Sequence, residues 1–133
     1  AQNNPFVVSV CGPNCSYGFE FRFRAPDGYF PVVEVMSTDP SVAKTVGNPD
    51  QNLVSEGLDT TRVNMRIWRQ VIFFTPLSVG RTNIIARLVD NPSMRFIVPV
   101  EVLPESPYCY NCKGLSAWNL FGNVRMLEIE QQR

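Results

Sequence analysis

Four cysteines and no histidine bound the chemistry open to this 133-residue chain. The cysteines form two close pairs, Cys11-Gly12-Pro13-Asn14-Cys15 and Cys109-Tyr110-Asn111-Cys112, toward the two ends of the sequence. In an oxidising compartment four such thiols make two disulfides, within each pair or across the pairs, and spacing alone leaves all three connectivities open. Kept reduced, the same gaps of three and two residues match a four-thiolate zinc site. Redox catalysis is a third reading, but Asn14 widens the first gap beyond the two residues such motifs use, and no βαβ pattern surrounds it. The rest of the sequence favours disulfides, with Cys11, Cys15, Cys109 and Cys112 as their residues and with no metal or other cofactor.

Without histidine there is no neutral-pH general base of the usual kind, no Ser-His or Cys-His pair and no imidazole ligand. Carboxylates, lysine and tyrosine remain for acid and base work, yet no paired carboxylates, phosphate-binding glycine loop or calcium-binding run of acids is present. The sequence therefore reads as non-catalytic. Twelve Lys+Arg balance twelve Asp+Glu, so the basic excess that draws proteins to nucleic acid is missing. Arg22, Arg24, Arg62, Arg66 and Arg69, near Trp68, accordingly read as solvated strand faces rather than a stacking and phosphate-binding surface. Arg, Pro or Asp interrupts every hydrophobic stretch short of the roughly 18 to 20 residues a membrane-spanning helix needs.

The elements that must position these residues are strands. Eleven prolines punctuate the chain, and a proline inside a helix costs about 3 kcal/mol, so long helices have little room. Between the prolines lie runs rich in Val, Ile, Phe and Thr, several with the period-two alternation of half-buried strands. The clearest sets Phe19, Phe21 and Phe23 against Glu20, Arg22 and Arg24. Strands are predicted over 6–10, 17–25, 30–36, 53–55, 61–68, 71–75, 83–89 and 94–103. Ala25-Pro26-Asp27-Gly28 carries turn chemistry expected to fold the second strand back on the third, and Asp90-Asn91-Pro92-Ser93 does the same between the last two. The stretch from Lys44 to Arg62 is expected to be a long polar loop with little regular structure. The fold class is all-β, an immunoglobulin-like β-sandwich with that loop and a C-terminal extension. It forms one domain: an N-terminal strand and cysteine pair over 1–16, a sandwich core over 17–108, and the second pair with the extension over 109–133.

Two segments carry a more specific signal. Ser37-Thr38-Asp39-Pro40-Ser41-Val42-Ala43 follows the strand Val32-Val33-Glu34-Val35. Later, Thr75-Pro76-Leu77-Ser78-Val79-Gly80-Arg81-Thr82-Asn83-Ile84-Ile85-Ala86 precedes the closing run Phe96-Ile97-Val98-Pro99-Val100-Glu101-Val102. This pattern resembles bacterial Ig-like repeats and the related N-terminal domain of pilus-assembly secretin proteins, over roughly half of the chain. The resemblance implies a component of a secretion or pilus machine, or a surface adhesin or filament subunit. Physics gives the same residues a folding role. Asp39 and Ser37 can bind nearby backbone N–H groups and Pro40 restricts φ, making a corner that turns Val42 inward. Gly80 supplies a positive φ, after which Ile84 and Ala86 share one strand face and Ile85 and Arg87 the other.

The ends of the chain direct the functional expectation. The opening Ala1-Gln2-Asn3-Asn4-Pro5 is what signal-peptidase cleavage leaves, and with the paired cysteines it points to a periplasmic or extracellular setting. Beyond the second cysteine pair, Trp118, Leu120, Phe121, Met126 and Ile129 are apolar surface that something must bury. Either a hairpin through Gly122-Asn123 packs on the sandwich, or the segment is a strand offered to a neighbouring subunit. Phe6, Val8 and Val10, on one face of the first strand, are candidates for the same donor part. The expected role is a non-catalytic structural or interaction subunit of a bacterial envelope or extracellular assembly. Its partners are other proteins or copies of itself in an oligomer or filament, with no nucleic acid and no membrane span. The alternatives are a small extracellular module binding carbohydrate or peptide through Trp68, Trp118 or the 44–62 loop, or a phage or virion structural protein. Bridges that cross between the two cysteine pairs make Cys11→Ser with Cys15→Ser lower the stability by about 2 to 5 kcal/mol, read by denaturant unfolding under oxidising conditions.

Overall fold

Side chains alternate in and out along an extended chain, so the row Phe19, Phe21, Phe23 must be covered by a second apolar layer, and the fold follows from how that is done. The computed structural model describes residues 5–10, 16–47 and 53–104, and the backbone of 127–128. In chain order its strands are β1 (Phe6–Ser9), β2 (Tyr17–Pro26), β3 (Val33–Ser37), β4 (Ala43–Val46), β5 (Leu53–Leu58), β6 (Met65–Pro76), β7 (Gly80–Leu88), β8 (Arg95–Leu103) and β9 (Leu127–Glu128). There is no helix among the described residues. The strands form two sheets, one in the order β1-β8-β7-β3, the other β4-β6-β2-β9 with β5 also on β6. This is the all-β sandwich that the alternation and the turn spacing predict.

In the second sheet, β6 runs antiparallel to β2 along its whole length, from Tyr17 opposite Phe74 to Pro26 opposite Met65. The pairing sets Phe19 beside Ile72 and Phe21 beside Gln70 on the buried face. Gln70 is fully buried there, its amide donating to the Val71 carbonyl at 3.1 Å. On the solvent face Phe73 lies over Gly18, where a Cβ would meet its ring at 2.9 Å. The other sheet contributes Val8, Ile84, Ala86, Leu88, Val100 and Val102 to the core. Between the layers Phe6 meets Phe74 edge-on at 5.7 Å, and Phe21 meets Phe96 with ring centroids 4.2 Å apart. Such pairs add about 0.5 to 1.5 kcal/mol beyond the area they bury.

Three expectations need correction. The 44–62 stretch is not an irregular loop. β4 and β5 lie within or across it, β4 pairing Ala43–Val46 with the end of β6 and β5 pairing Leu53–Leu58 with its beginning. Only 53–55 of β5 was expected as strand, because β5 is an outer strand whose side chains alternate half-buried and exposed, and Gly57 takes a positive φ at a bulge. The runs 61–68 and 71–75 form one strand, β6, beginning at Met65. Arg69 and Gln70 looked like a break, yet Arg69 lies on the solvent face and Gln70 is buried with its side-chain NH2 donating to the Val71 carbonyl. Finally, β2 does not fold back on β3. The turn closes between the Pro26 carbonyl and the Tyr29 N–H, with Gly28 at φ +93°, and carries the chain from one sheet to the other, where β3 pairs with β7.

The corner and the tight turn form as expected. The Asp39 carboxylate accepts from the Ser41 N–H at 3.1 Å, and the Asp39 N–H donates to the Thr82 hydroxyl at 2.8 Å. The Val42 N–H donates to the Asp39 carbonyl, and Val42 is buried. Gly80 has φ +152°, and a Cβ there would stand 3.1 Å from Val42 Cγ2. Ile84 and Ala86 are buried while Ile85 and Arg87 are not. The 90–93 turn joins β7 and β8 as an antiparallel pair. Gly80→Ala forces both a disfavoured backbone and a tight contact with Val42, so urea unfolding is expected to show a loss of about 1 to 3 kcal/mol.

Candidate functional site

The charged face of the β2–β6 sheet is neutralised where it stands. Cross-strand neighbours Arg22 and Arg69 reach opposite ways, Arg22 to Glu56 at 2.9 Å and Arg69 to Glu20 at 3.9 Å. Arg24 pairs with Asp59, and Arg66 with Asp27 at 3.0 Å. A positive field that could hold a phosphate backbone is thereby cancelled locally, in keeping with the balanced composition. The Arg22–Glu56, Arg69–Glu20 and Arg66–Asp27 pairs are partly exposed and contribute about 0 to 1 kcal/mol each, so they shape the surface more than they hold it, whereas Asp59 is buried. Trp68 packs against the core, and its indole N–H is buried with no hydrogen-bond partner among the described residues. It is no exposed platform for a sugar ring.

Two hollows among the described residues are small. One, lined by Phe21, Phe23, Val33, Leu88, Met94 and Phe96 among others, has a volume of about 20 Å³. Another, between Val35, Thr45, Val46 and Ile72, has about 50 Å³. Either admits a water or two, far short of the roughly 300 Å³ of a small-molecule site. Among the described residues no cluster of three or more acids, thiols or imidazoles is placed to hold a metal.

What the architecture does build is a rigid end of the sandwich formed by the β2–β3, β5–β6 and β7–β8 connections. The Asp27 N–H donates to the Asn64 carbonyl at 2.8 Å, the Val89 N–H to the Val32 carbonyl at 2.9 Å, and the Tyr29 hydroxyl to Asp90 Oδ1 at 2.6 Å. Burial, and then the Asp90 carboxylate, push the Tyr29 hydroxyl well above the usual phenol range. Asp59 braces the middle connection by accepting from the Thr61 N–H at 2.8 Å, from the Thr61 hydroxyl at 2.7 Å and from Arg24. Asn64 completes the turn at φ +61°, a conformation asparagine tolerates better than most residues. On this braced frame stand Phe30, 81% exposed, Val63, 88% exposed, and the exposed Val32, Leu58 and Val89.

A second apolar feature crosses the outer face of the first sheet. Met36 lies opposite Ile85, which lies opposite Ile97, a row in register through β3, β7 and β8. Ile97 is 52% exposed. On the same face the row is flanked by the Arg87–Glu34 ion pair and Arg95 on one side and by Asn83 and Pro99 on the other.

Of the residues singled out from the sequence, Phe6, Val8 and Val10 share a face that packs on the chain's own core, with Val8 buried. The Val10 N–H donates to the Leu103 carbonyl at 3.0 Å, and β1 leaves its outer edge and Val7 to solvent. Cys11, Cys15, Cys109, Cys112, Trp118, Leu120, Phe121, Met126 and Ile129 lie outside the described residues. Phe30, Val32, Val63 and Val89 were read from the sequence as strand residues. Pro31 is the signal that was underweighted, since it removes a ladder donor and delays β3 until Val33. Asp59-Thr60-Thr61 likewise spells a turn in which a carboxylate caps the N–H two residues on.

No family model matches the chain, and none of the curated proteins matches it. Among solved structures it is similar to parts of the surface layer protein SbsC. The structure of SbsC domains 1–6 is matched with 12% identity over 80% of this chain and 12% of that one, at a TM-score of 0.41. The crystal structure of domains 4 and 5 is matched with 13% identity over 73% of this chain and 40% of that one, at a TM-score of 0.37.

The hydrogen bonds from Thr61, chief among them that of its hydroxyl, together with Arg24 hold the Asp59 carboxyl at a pKa of about 2 against an ordinary 3.8, with burial acting in the opposite direction. A depressed carboxyl pKa contributes stability that is full above about pH 4 and is lost as the pH falls toward 2. Thermal unfolding from about pH 5 to 2 is therefore expected to fall more steeply for the native protein than for Asp59→Asn; equal slopes would remove Asp59 from the account.

Proposed function

We propose that this protein is a non-catalytic structural or interaction subunit of a bacterial envelope or extracellular assembly of the secretion, pilus or filament type. It works in the periplasm or outside the cell, and contacts other proteins or copies of itself. The observation that carries the reading is the apolar row Met36, Ile85 and Ile97. It crosses the solvent face of a sheet, flanked by the Arg87–Glu34 pair and Arg95 on one side and by Asn83 and Pro99 on the other. An apolar stripe inside a polar rim suits contact with another protein surface better than contact with water.

Further support comes from the residues that carry the resemblance to bacterial Ig-like and secretin domains, since the Asp39 corner and the Gly80 turn have defined structural work. Strand order supports the immunoglobulin-like version of the sandwich: β3, β7 and β8 stand side by side in one sheet, and β2, β6 and β4 in the other. The parallel pairing of β1 with β8 is compatible with it. In this reading Cys11, Cys15, Cys109 and Cys112 are bridged, and the 109–133 segment takes part in subunit contacts.

A second reading, a small binding module, is favoured by the end of the sandwich that carries Phe30, Val32, Leu58, Val63 and Val89. Loops held on a rigid scaffold are a common place for recognition, and these side chains suit an apolar peptide.

The deciding measurement is native mass of the full chain against concentration, without reductant, for the native protein and Ile97→Glu. A concentration-dependent assembly that shifts to monomer in Ile97→Glu, with the melting temperature kept, is the expected result. A native protein that stays monomeric at all concentrations overturns the assembly role and leaves the binding module, with Phe30→Ser as its probe.

A further inference from the structure

Exposed sheet edges are a hazard that proteins blunt by keeping the strand short, by charge, or by a bulge. Most edges here are blunted in this way. β1 and β4 have four residues each, β4 carrying Lys44; β3 has five; β5 is bulged between Ser55 and Gly57. The outer edge of β2 is different. β2 has ten residues, a regular alternation of buried and solvent-facing side chains, and no bulge in its ladder with β6. On its other side only two rungs are paired, Phe23 with Leu127 and Arg24 with Glu128, both parallel and both supplied by β9. Positions 18–22 have no strand partner on that side among the described residues.

We infer that the outer edge of β2 is a strand-acceptor site and that the segment centred on β9 is exchanged into it between copies of this chain. The inference rests on the assembly role proposed above and names the surface and the occupant. Register suits the segment, because Leu127 stands opposite Phe23 of the buried row and Glu128 opposite Arg24 of the solvent row. Around it, Leu127-Glu128-Ile129-Glu130 alternates as a strand must to bury one face. Reach permits exchange. Residues 104–126 separate β8 from β9, and extended they span up to about 75 Å, more than the width of a domain of this size. The same β9 can therefore pair with β2 of its own chain or of a neighbour.

Length also sets when each pairing wins. A connection of this length holds β9 near its own β2 at an effective concentration of the order of 1 mM. Exchange thus belongs to crowded, aligned copies rather than to dilute solution. Each exchanged strand would then leave the donor's own β2 edge open to the next copy, a head-to-tail contact that either closes into a ring or continues as a filament.

The test places the photo-crosslinking residue benzoyl-phenylalanine at position 127 of the full chain and irradiates from about 10 μM to 1 mM. Products are separated by denaturing mass and mapped by peptide mass, with a mixture of isotopically light and heavy chains to tell intermolecular links. Crosslinks to β2 within one chain at low concentration, giving way to light–heavy links to β2 at high concentration, are expected. Only intrachain links up to 1 mM, or interchain links to another strand, overturn the inference. Leu127→Pro is the companion variant, since proline interrupts the parallel rung, and a melting temperature kept at low concentration shows that its sandwich is intact. An assembly that survives Leu127→Pro, but not Ile97→Glu, overturns strand exchange while leaving the assembly role in place. A native protein that never assembles overturns both.

Discussion

The long ladder between β2 and β6 is the constraint on which the rest of this structure depends. Ten consecutive residues of β2 are matched by β6, and the register puts the aromatic row of one strand beside Ile72 and Phe74 of the other. A shift of one residue would turn Phe19, Phe21 and Phe23 to water and bring Glu20, Arg22 and Arg24 into the core. Because that error exposes three large aromatic side chains while burying three charges, the register is strongly enforced. The second sheet is what the aromatic row then requires, and Phe6, Phe96, Ile84 and Val100 meet it from the opposite layer.

The solvent-facing features follow from the same ladder. With the apolar row inward, the charged row must face outward, and β5 brings Glu56 and Asp59 within reach of Arg22 and Arg24. The cations expected on solvated strand faces, Arg22, Arg24, Arg66 and Arg69, are consumed in ion pairs on the sheet itself. Apolar character appears elsewhere, on the row from Met36 to Ile97 and at the braced end around Phe30 and Val63. β6 also determines which edges remain. It takes β2 on one side and both β4 and β5 on the other, so among the described residues β2 is left with a long side to which only β9 attaches.

Strands with a clean period-two pattern were legible residue by residue, as in β2, β7 and β8. So were the corner at Asp39 and the turn at Gly80, because both depend on side chains acting within a few residues of themselves. β4 was hidden and β5 was seen only over 53–55, since outer strands need bury little and their sequence stays polar. The joining of 61–68 to 71–75 was hidden for a related reason: Gln70 is polar in isolation, and only its place opposite Phe21 makes it a core residue. Phe30, Val32, Val63 and Val89 failed in the opposite direction. Hydrophobicity suggested burial, whereas proline and turn geometry ended the strands before them.

By itself the sequence determined an all-β chain with a defined aromatic face, a balanced charge, two turns of known chemistry and no recognisable catalytic set. These are consequences of residue type, short-range spacing and backbone restriction, which act before the chain has met itself. Which strand pairs with which was decided only in the tertiary structure. The 26–29 turn carries β3 to the other sheet because the free side of β6, not β3, gives the aromatic strand a ten-residue partner. The same long-range pairing decided which side chains were left for contact with other molecules. Pairing energy is summed over a whole register, and no window of neighbouring residues contains that sum.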